Sequence, residues 1–241
     1  KATTKDLSDS YSIVMGDEPP VLEFTWNISK TGKENLIGEY YSNRELIITG
    51  DSGIESAKTY ALTRLYNQDS SKFLKILNNA RKITFEVNST DNYSGMFDAT
   101  KSSGGYSHKF ASLTQVDYSQ ISDDYNISAY MFRGQDTIKN VTASPTIVGD
   151  AAFMNYTSLE NITTLQNTEK IKSYAFYNCT SLETAALTNC TEIDARAFMN
   201  CTSLEYVNVD SLEILDGADT TGGIFYNCTN LVTVANLEKS D

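Results

Sequence analysis

Large apolar residues in the second half of the chain return in a fixed order. Phe153, Phe176, Phe198 and Phe225 are separated by 23, 22 and 27 residues, and Phe132 precedes Phe153 by 21. Each of the four opens one phrase: "AFMNYTSLENI", "AFYNCTSLETA", "AFMNCTSLEYV" and "IFYNCTNLVTV". Within a unit, Leu182, Ala185 and Leu187, like Leu204, Val207 and Val209, have the Leu-x-x-Leu-x-Leu spacing that predicts a short strand with alternate residues inward. Glu183, Thr184, Ala186, Glu205, Tyr206 and Asn208 then face outward. "EKIKSYAF" and "TEIDARAF" add a second inward pair, Ile171 with Phe176 and Ile193 with Phe198, on a tight irregular return too short for a full helix.

The first 93 residues follow another pattern. "VLEFTWNI" (21–28), "RELIITG" (44–50) and "KITFEVN" (82–88) are alternating or densely apolar and end in turn residues, which predicts strands. Between the last two, Ala61, Leu62, Leu65, Phe73, Leu74 and Leu77 fall at helical spacing, with "NQDSS" predicted to break the helix in two. The polar start and Pro19-Pro20 predict a flexible leader over 1–20.

A single repeat cannot fold alone. Its large apolar side chains, such as Phe176, Leu182, Leu187 and Ile193, contribute roughly 1.5–3 kcal/mol each when buried. Ordering the backbone costs about 1–2 kcal/mol for every residue. Successive coils must therefore share one interior and ladder their backbones, and the first coil needs a cap over its open edge.

The Ala-Phe-x-Asn-Cys-Thr-Ser-Leu units at 152–159, 175–182 and 197–204 resemble the BspA-like leucine-rich repeat family, found mainly on surface proteins of Bacteroides-type bacteria, treponemes and some protozoan parasites. "SGMFDA" (94–99) and "SAYMFRG" (128–134) resemble its Met-Phe variant. The sequence departs from the pattern at Tyr156, where cysteine is usual, and in the insertion "ILDGADTTGGIF". The resemblance implies an α/β fold: a right-handed leucine-rich-repeat solenoid of short parallel strands with irregular or short helical returns, over 94–241, behind an N-terminal α/β cap and first long coil over 21–93. It also implies a non-catalytic adhesion module on the cell surface or in the periplasm. The expected partner is a host extracellular-matrix protein such as fibronectin or fibrinogen, or another surface protein. The protein is expected to be an outer-membrane lipoprotein touching the membrane only through a lipidated cysteine upstream of Lys1. The alternative is a carbohydrate-binding surface lipoprotein whose tyrosines stack on a glycan.

On the alternation, Glu160, Asn161, Thr163, Glu183, Thr184, Glu205, Tyr206, Asn208 and Thr233 are the expected contact residues. Charge narrows the partner further: 31 acidic residues against 19 basic give −12, which argues against nucleic acid. No apolar run approaches the ~20 residues that cross a bilayer.

Other chemistry finds little support. Cys179, Cys201 and Cys228 hold equivalent places in successive coils and are expected to stack as reduced, buried thiols about 5 Å apart, with Cys190 on another side. Three aligned thiols without histidine do not make a zinc site, so neither metal nor cofactor is expected. The Asn-Cys-Thr triplets match the glycosylation sequon, but Asn and Thr there are better explained as turn caps. His108, the sole histidine, sits in "GGYSHKF" and is expected on an exposed loop, with no nucleophile elbow to use it. Asp123 and Asp124 are paired carboxylates without a recognisable pocket, and the Asp216 and Asp219 insertion lacks EF-hand spacing, so it is expected to be a surface loop.

Overall fold

The computed structural model describes residues 19–28, 36–50, 61–87, 94–121, 124–162, 165–209, 214–215 and 223–235. Positions 1–18, Thr163, Asp123, Asp216 and Asp219 lie outside them, and with them most of the leader and the insertion. The chain opens with three strands in antiparallel succession, β1 (Leu22–Asn27), β2 (Leu36–Tyr41) and β3 (Glu45–Gly50). It then passes through α1 (Ala61–Gln68) and α2 (Ser70–Asn79) and returns as β4 (Lys82–Val87), parallel to β3. The break between the helices falls at Asp69. Its extended backbone (φ −159°) stops α1, and its carboxylate caps α2 by accepting from the amides of Ser71 and Lys72.

The apolar alternation does not mark β2 because a glycine holds one of its inward positions. Leu36 and Tyr40 are buried, and Gly38 between them lies under the Trp26 indole, where a Cβ would come within 2.4 Å of Cη2. Trp26 supplies the apolar volume that Gly38 lacks.

Among the described residues ten strands form one sheet, which runs unbroken from β1 through β4 to Gln115–Asp117, Asn140–Thr142, Asn161–Ile162, Thr184–Ala186, Tyr206–Asn208 and Thr233–Ala235. From β3 onward every pairing is parallel. The central residue of each rung, from Leu46, Ile83, Val116 and Val141 to Ile162, Ala185 and Val207, is buried, and Val234 at the end is half-buried. A rung in register adds its backbone hydrogen bonds and its apolar contact together, which is how coils too small to fold alone become stable.

Each return carries a strand of its own, where the pattern predicted an irregular segment. Asn126–Ile127, Ile147–Val148, Lys170–Ile171, Glu192–Ile193 and Ile214–Leu215 pair in parallel as a second sheet. Two residues per strand are too few for alternation to register. The inward member is nevertheless the apolar residue the sequence marks: Ile171 and Ile193 are fully buried, as are Ile127 and Val148.

The third side is a ladder of turns. Phe153 N–H donates to Ala175 O, Phe176 to Ala197 O and Phe198 to Ile224 O, each one coil along. The rings stack accordingly: Phe153 on Phe176 at 5.2 Å, Phe176 on Phe198 at 5.1 Å and Phe198 on Phe225 at 5.5 Å, with interplanar angles of 11°, 15° and 20°. The asparagine of each phrase takes the left-handed conformation, φ 67° at Asn155, 60° at Asn178, 65° at Asn200 and 60° at Asn227. Asparagine reaches that region more readily than other residues bearing a Cβ. Its amide side chain adds a second ladder, Asn178 to Asn155 and Asn227 to Asn200, both at 3.0 Å.

Candidate functional site

The outward face of the long sheet is built by its register. Asn140, Asn161, Thr184, Tyr206 and Thr233 occupy successive rungs of one column, and all are exposed. Their inward neighbours are the buried rung centres, so the alternation that fills the core also projects this column. Thr184 Oγ1 donates to Asn161 Oδ1 at 3.3 Å. Tyr206, 41% exposed, stands beside a shallow depression lined with Ile162, Thr184, Ala185 and Ala186. Glu160, Glu183 and Glu205 lie one residue earlier, exposed along the rim, and Asn208 lies two residues after Tyr206, half-buried. Of the nine expected contact residues, eight are thus on or beside one face, and the ninth, Thr163, lies outside the described residues.

The same column continues back toward the first strands through Gln115, Lys82 and Glu45, which the repeat phrase does not mark because the phrase is absent there. Lys82 bridges Glu45 at 3.1 Å and Asp117 at 3.0 Å. Burial pulls the Glu45 carboxyl up, but the Thr84 hydroxyl and Lys82 outweigh it and hold the group below the usual range. Asp117 is lowered on balance as well: burial raises it, and Ser119 and Lys82 lower it further. On the second sheet Lys170 and Lys172 embrace Glu192 at 3.0 and 2.8 Å, and Lys172 also reaches Asp194 at 3.5 Å. The two lysines lower Glu192 to about 2.

The cysteines stack as the spacing predicts. Cys179, Cys201 and Cys228 each direct the thiol to a phenylalanine carbonyl of the preceding coil, Phe153 at 3.3 Å, Phe176 at 3.1 Å and Phe198 at 3.0 Å. Tyr156 takes the equivalent place in its coil, fully buried and edge-on to Phe153 at 5.3 Å. Cys190 is buried elsewhere in its coil, and burial raises its thiol to about 11. Among the described residues no group of three His, Cys, Asp or Glu side chains could hold a metal ion. No described helix is long and apolar enough to cross a membrane.

His108 departs from expectation. It is 1% exposed, because the hairpin of Ser102–Ser103 and Tyr106–Ser107 folds it inward against the helices. Its Nε2 is 2.8 Å from Ser103 Oγ, which bonds in turn to Thr63 of α1, and its ring packs edge-on to Phe73 of α2 at 6.0 Å. Nδ1 is buried without a hydrogen-bond partner. A serine beside an imidazole that lacks an orienting carboxylate, both closed off from solvent, holds a hairpin down and does not make a nucleophile. The two glycines ahead of His108 suggest a loose loop in sequence. They make the tight turn, Gly104 (φ 55°) lying directly against the Tyr66 ring.

A ladder of 21- to 27-residue coils, each with one phenylalanine, one left-handed turn at asparagine or, after Phe132, at Gly134, and one outward strand, defines a leucine-rich-repeat solenoid. Residues 125–239 match the BspA type leucine-rich repeat region in six copies, and this part of the chain belongs to that family. A leucine-rich repeat protein of T. pallidum superposes with a TM-score of 0.42 at 17% identity, covering 83% of this chain and 78% of that one. A leucine-rich repeat protein of Eubacterium ventriosum gives 0.32 at 13% identity, covering 88% and 77%. Scores this low carry no argument, and the fold rests on the chain's own ladders and on the repeat match. No curated protein matches the chain. Leucine-rich repeats of this kind are generally protein-interaction modules without catalytic chemistry, in bacteria associated with the surface.

Proposed function

We propose that the chain is a non-catalytic adhesion module that binds a protein partner through the outward face of its long sheet. The observation that supports this reading is the column Asn140, Asn161, Thr184, Tyr206 and Thr233: polar side chains on an exposed face, with one half-exposed aromatic beside a shallow apolar depression. Tyrosine gives rigid contact area with little entropy to lose, and a broad shallow face suits a large partner better than a small substrate. In this reading residues 21–93 cap the array, 94–241 present it, and the partner is a host extracellular-matrix or other surface protein met at the cell surface or in the periplasm. A lipid anchor upstream of Lys1 belongs to the same reading.

The glycan reading has less support. Tyr206 is on the sheet face whereas Tyr130 and Tyr226 are on turns and Tyr106 is on the cap-side hairpin, so the exposed tyrosines among the described residues do not form one stacking platform. Surface plasmon resonance against purified fibronectin, fibrinogen and other matrix proteins tests the proposal. Tyr206→Ser combined with Thr184→Glu is expected to weaken binding at least tenfold. Unchanged affinity in that variant overturns the assignment of this face.

A further inference from the structure

Along the rim of the long sheet one column, exposed at every charged position and half-buried at Thr114, is sorted by charge. Backbone bonds place its members on successive rungs: Arg81 N–H donates to Arg44 O, Thr114 to Arg81 O, Lys139 to Thr114 O, Glu183 to Glu160 O and Glu205 to Glu183 O. The register of Asn140 with Asn161 sets Lys139 beside Glu160 and joins the two runs. The order is therefore Arg44, Arg81, Thr114, Lys139, Glu160, Glu183, Glu205: basic at the cap end and acidic at the far end.

None of these six charged groups forms an ion pair among the described residues. The neighbouring column does the opposite, with Lys82 neutralising Glu45 and Asp117, as Lys170 and Lys172 neutralise Glu192 on the second sheet. Like charges on adjacent rungs, ~4.8 Å apart, repel. Interleaving the signs would favour the fold more than sorting them, so fold stability does not explain this arrangement.

Sorted this way the column carries opposite charges at two pairs of rungs set equally about the point between Lys139 and Glu160, namely Lys139 with Glu160 and Arg81 with Glu205, while Thr114 is neutral. Turned end for end, Lys139 faces Glu160, Thr114 faces Glu183 and Arg81 faces Glu205. A patch complementary to its own reverse is what a two-fold contact between identical chains requires. We propose that this rim is the contact between two copies of the chain laid antiparallel, each copy's basic run against the other's acidic run. The contact depends on the charges alone and does not rest on the host partner proposed above. At 0.15 M salt the screening length is about 8 Å, which suppresses the long-range repulsion between two chains of charge −12 while leaving pairs in contact effective.

Sedimentation velocity of the full chain at physiological and at high ionic strength tests this. A concentration-dependent dimer is expected at the lower salt and its loss at the higher. Glu183→Lys with Glu205→Lys, and separately Arg81→Glu with Lys139→Glu, should each weaken self-association at least tenfold, and an equimolar mixture of the two variants should restore a dimer. All four positions are exposed, so circular dichroism should show both variants folded. A wild-type chain monomeric at both salts, or a dimer that persists unchanged in both variants, overturns the proposal.

Discussion

The thiol of Cys201 donates to the carbonyl of Phe176, one coil earlier, at 3.1 Å, so the sulfur satisfies a backbone group inside the turn. The neighbouring Cys179 thiol is the main influence pushing Cys201 up, and burial adds to it. Cys190 is raised by burial to about 11. In the native protein at pH 8, Ellman's reagent is expected to leave Cys179, Cys190 and Cys201 unmodified and to reach only half-buried Cys228, slowly. All four should react once the chain is unfolded, as read by the released thiolate.

Phe176 sits in the middle of the ring column, with stacked neighbours on both sides, whereas Phe225 has one. Phe176→Ala is expected to destabilise by about 3–5 kcal/mol, the range for removing a buried aromatic. Phe225→Ala, at a half-buried position, should lose clearly less. Urea unfolding followed by circular dichroism gives both values.

Asn178 holds φ 60° while its amide bonds to Asn155. Glycine accepts that backbone freely, and a β-branched residue does not. Asn178→Gly should therefore stay within about 1 kcal/mol of wild type and lose mainly the side-chain bond. Asn178→Val should lose that bond and add about 1–2 kcal/mol of backbone strain. Thermal midpoints of the two variants should separate in that order.

His108 is held neutral. Burial pushes its imidazole below the ordinary 6.5, Asp98 pulls partly back, and Lys101 lowers it again. A depressed folded value means the contribution is complete above about pH 6.5 and fades as the pH falls below it, with a limiting slope near 1.4 kcal/mol per pH unit. Wild type should lose stability from pH 7.5 to pH 5.5 more steeply than His108→Gln, which has no proton to gain. Paired urea titrations at the two values decide it, and equal slopes would show that the histidine is not responsible.

The repeat was legible because its signal is strong and its period fixed. The phenylalanine spacing, the inward Leu182, Ala185 and Leu187 and the asparagine turns all follow from residues that recur. What the sequence concealed has physical reasons as well. Gly38 interrupts the apolar alternation of β2 because Trp26 on the neighbouring strand fills its space, a contact no single strand reveals. The second sheet is built from dipeptides such as Lys170–Ile171, too short to show a period. His108 resembles a loop residue because Gly104 and Gly105 precede it, and its burial depends on Thr63 and Phe73 some forty residues away in the chain. On the candidate face the repeated units mark Asn161, Thr184 and Tyr206, while Lys82 and Glu45 become visible only when the ladder is followed into the cap.

That ladder has one further consequence. Its order along the stack is its order along the chain, from β1 to Thr233–Ala235, so each parallel strand is synthesised after the strand against which it settles. A polypeptide emerging from the ribosome can close the cap and then wind on one turn at a time, each new turn settling against an edge already in place.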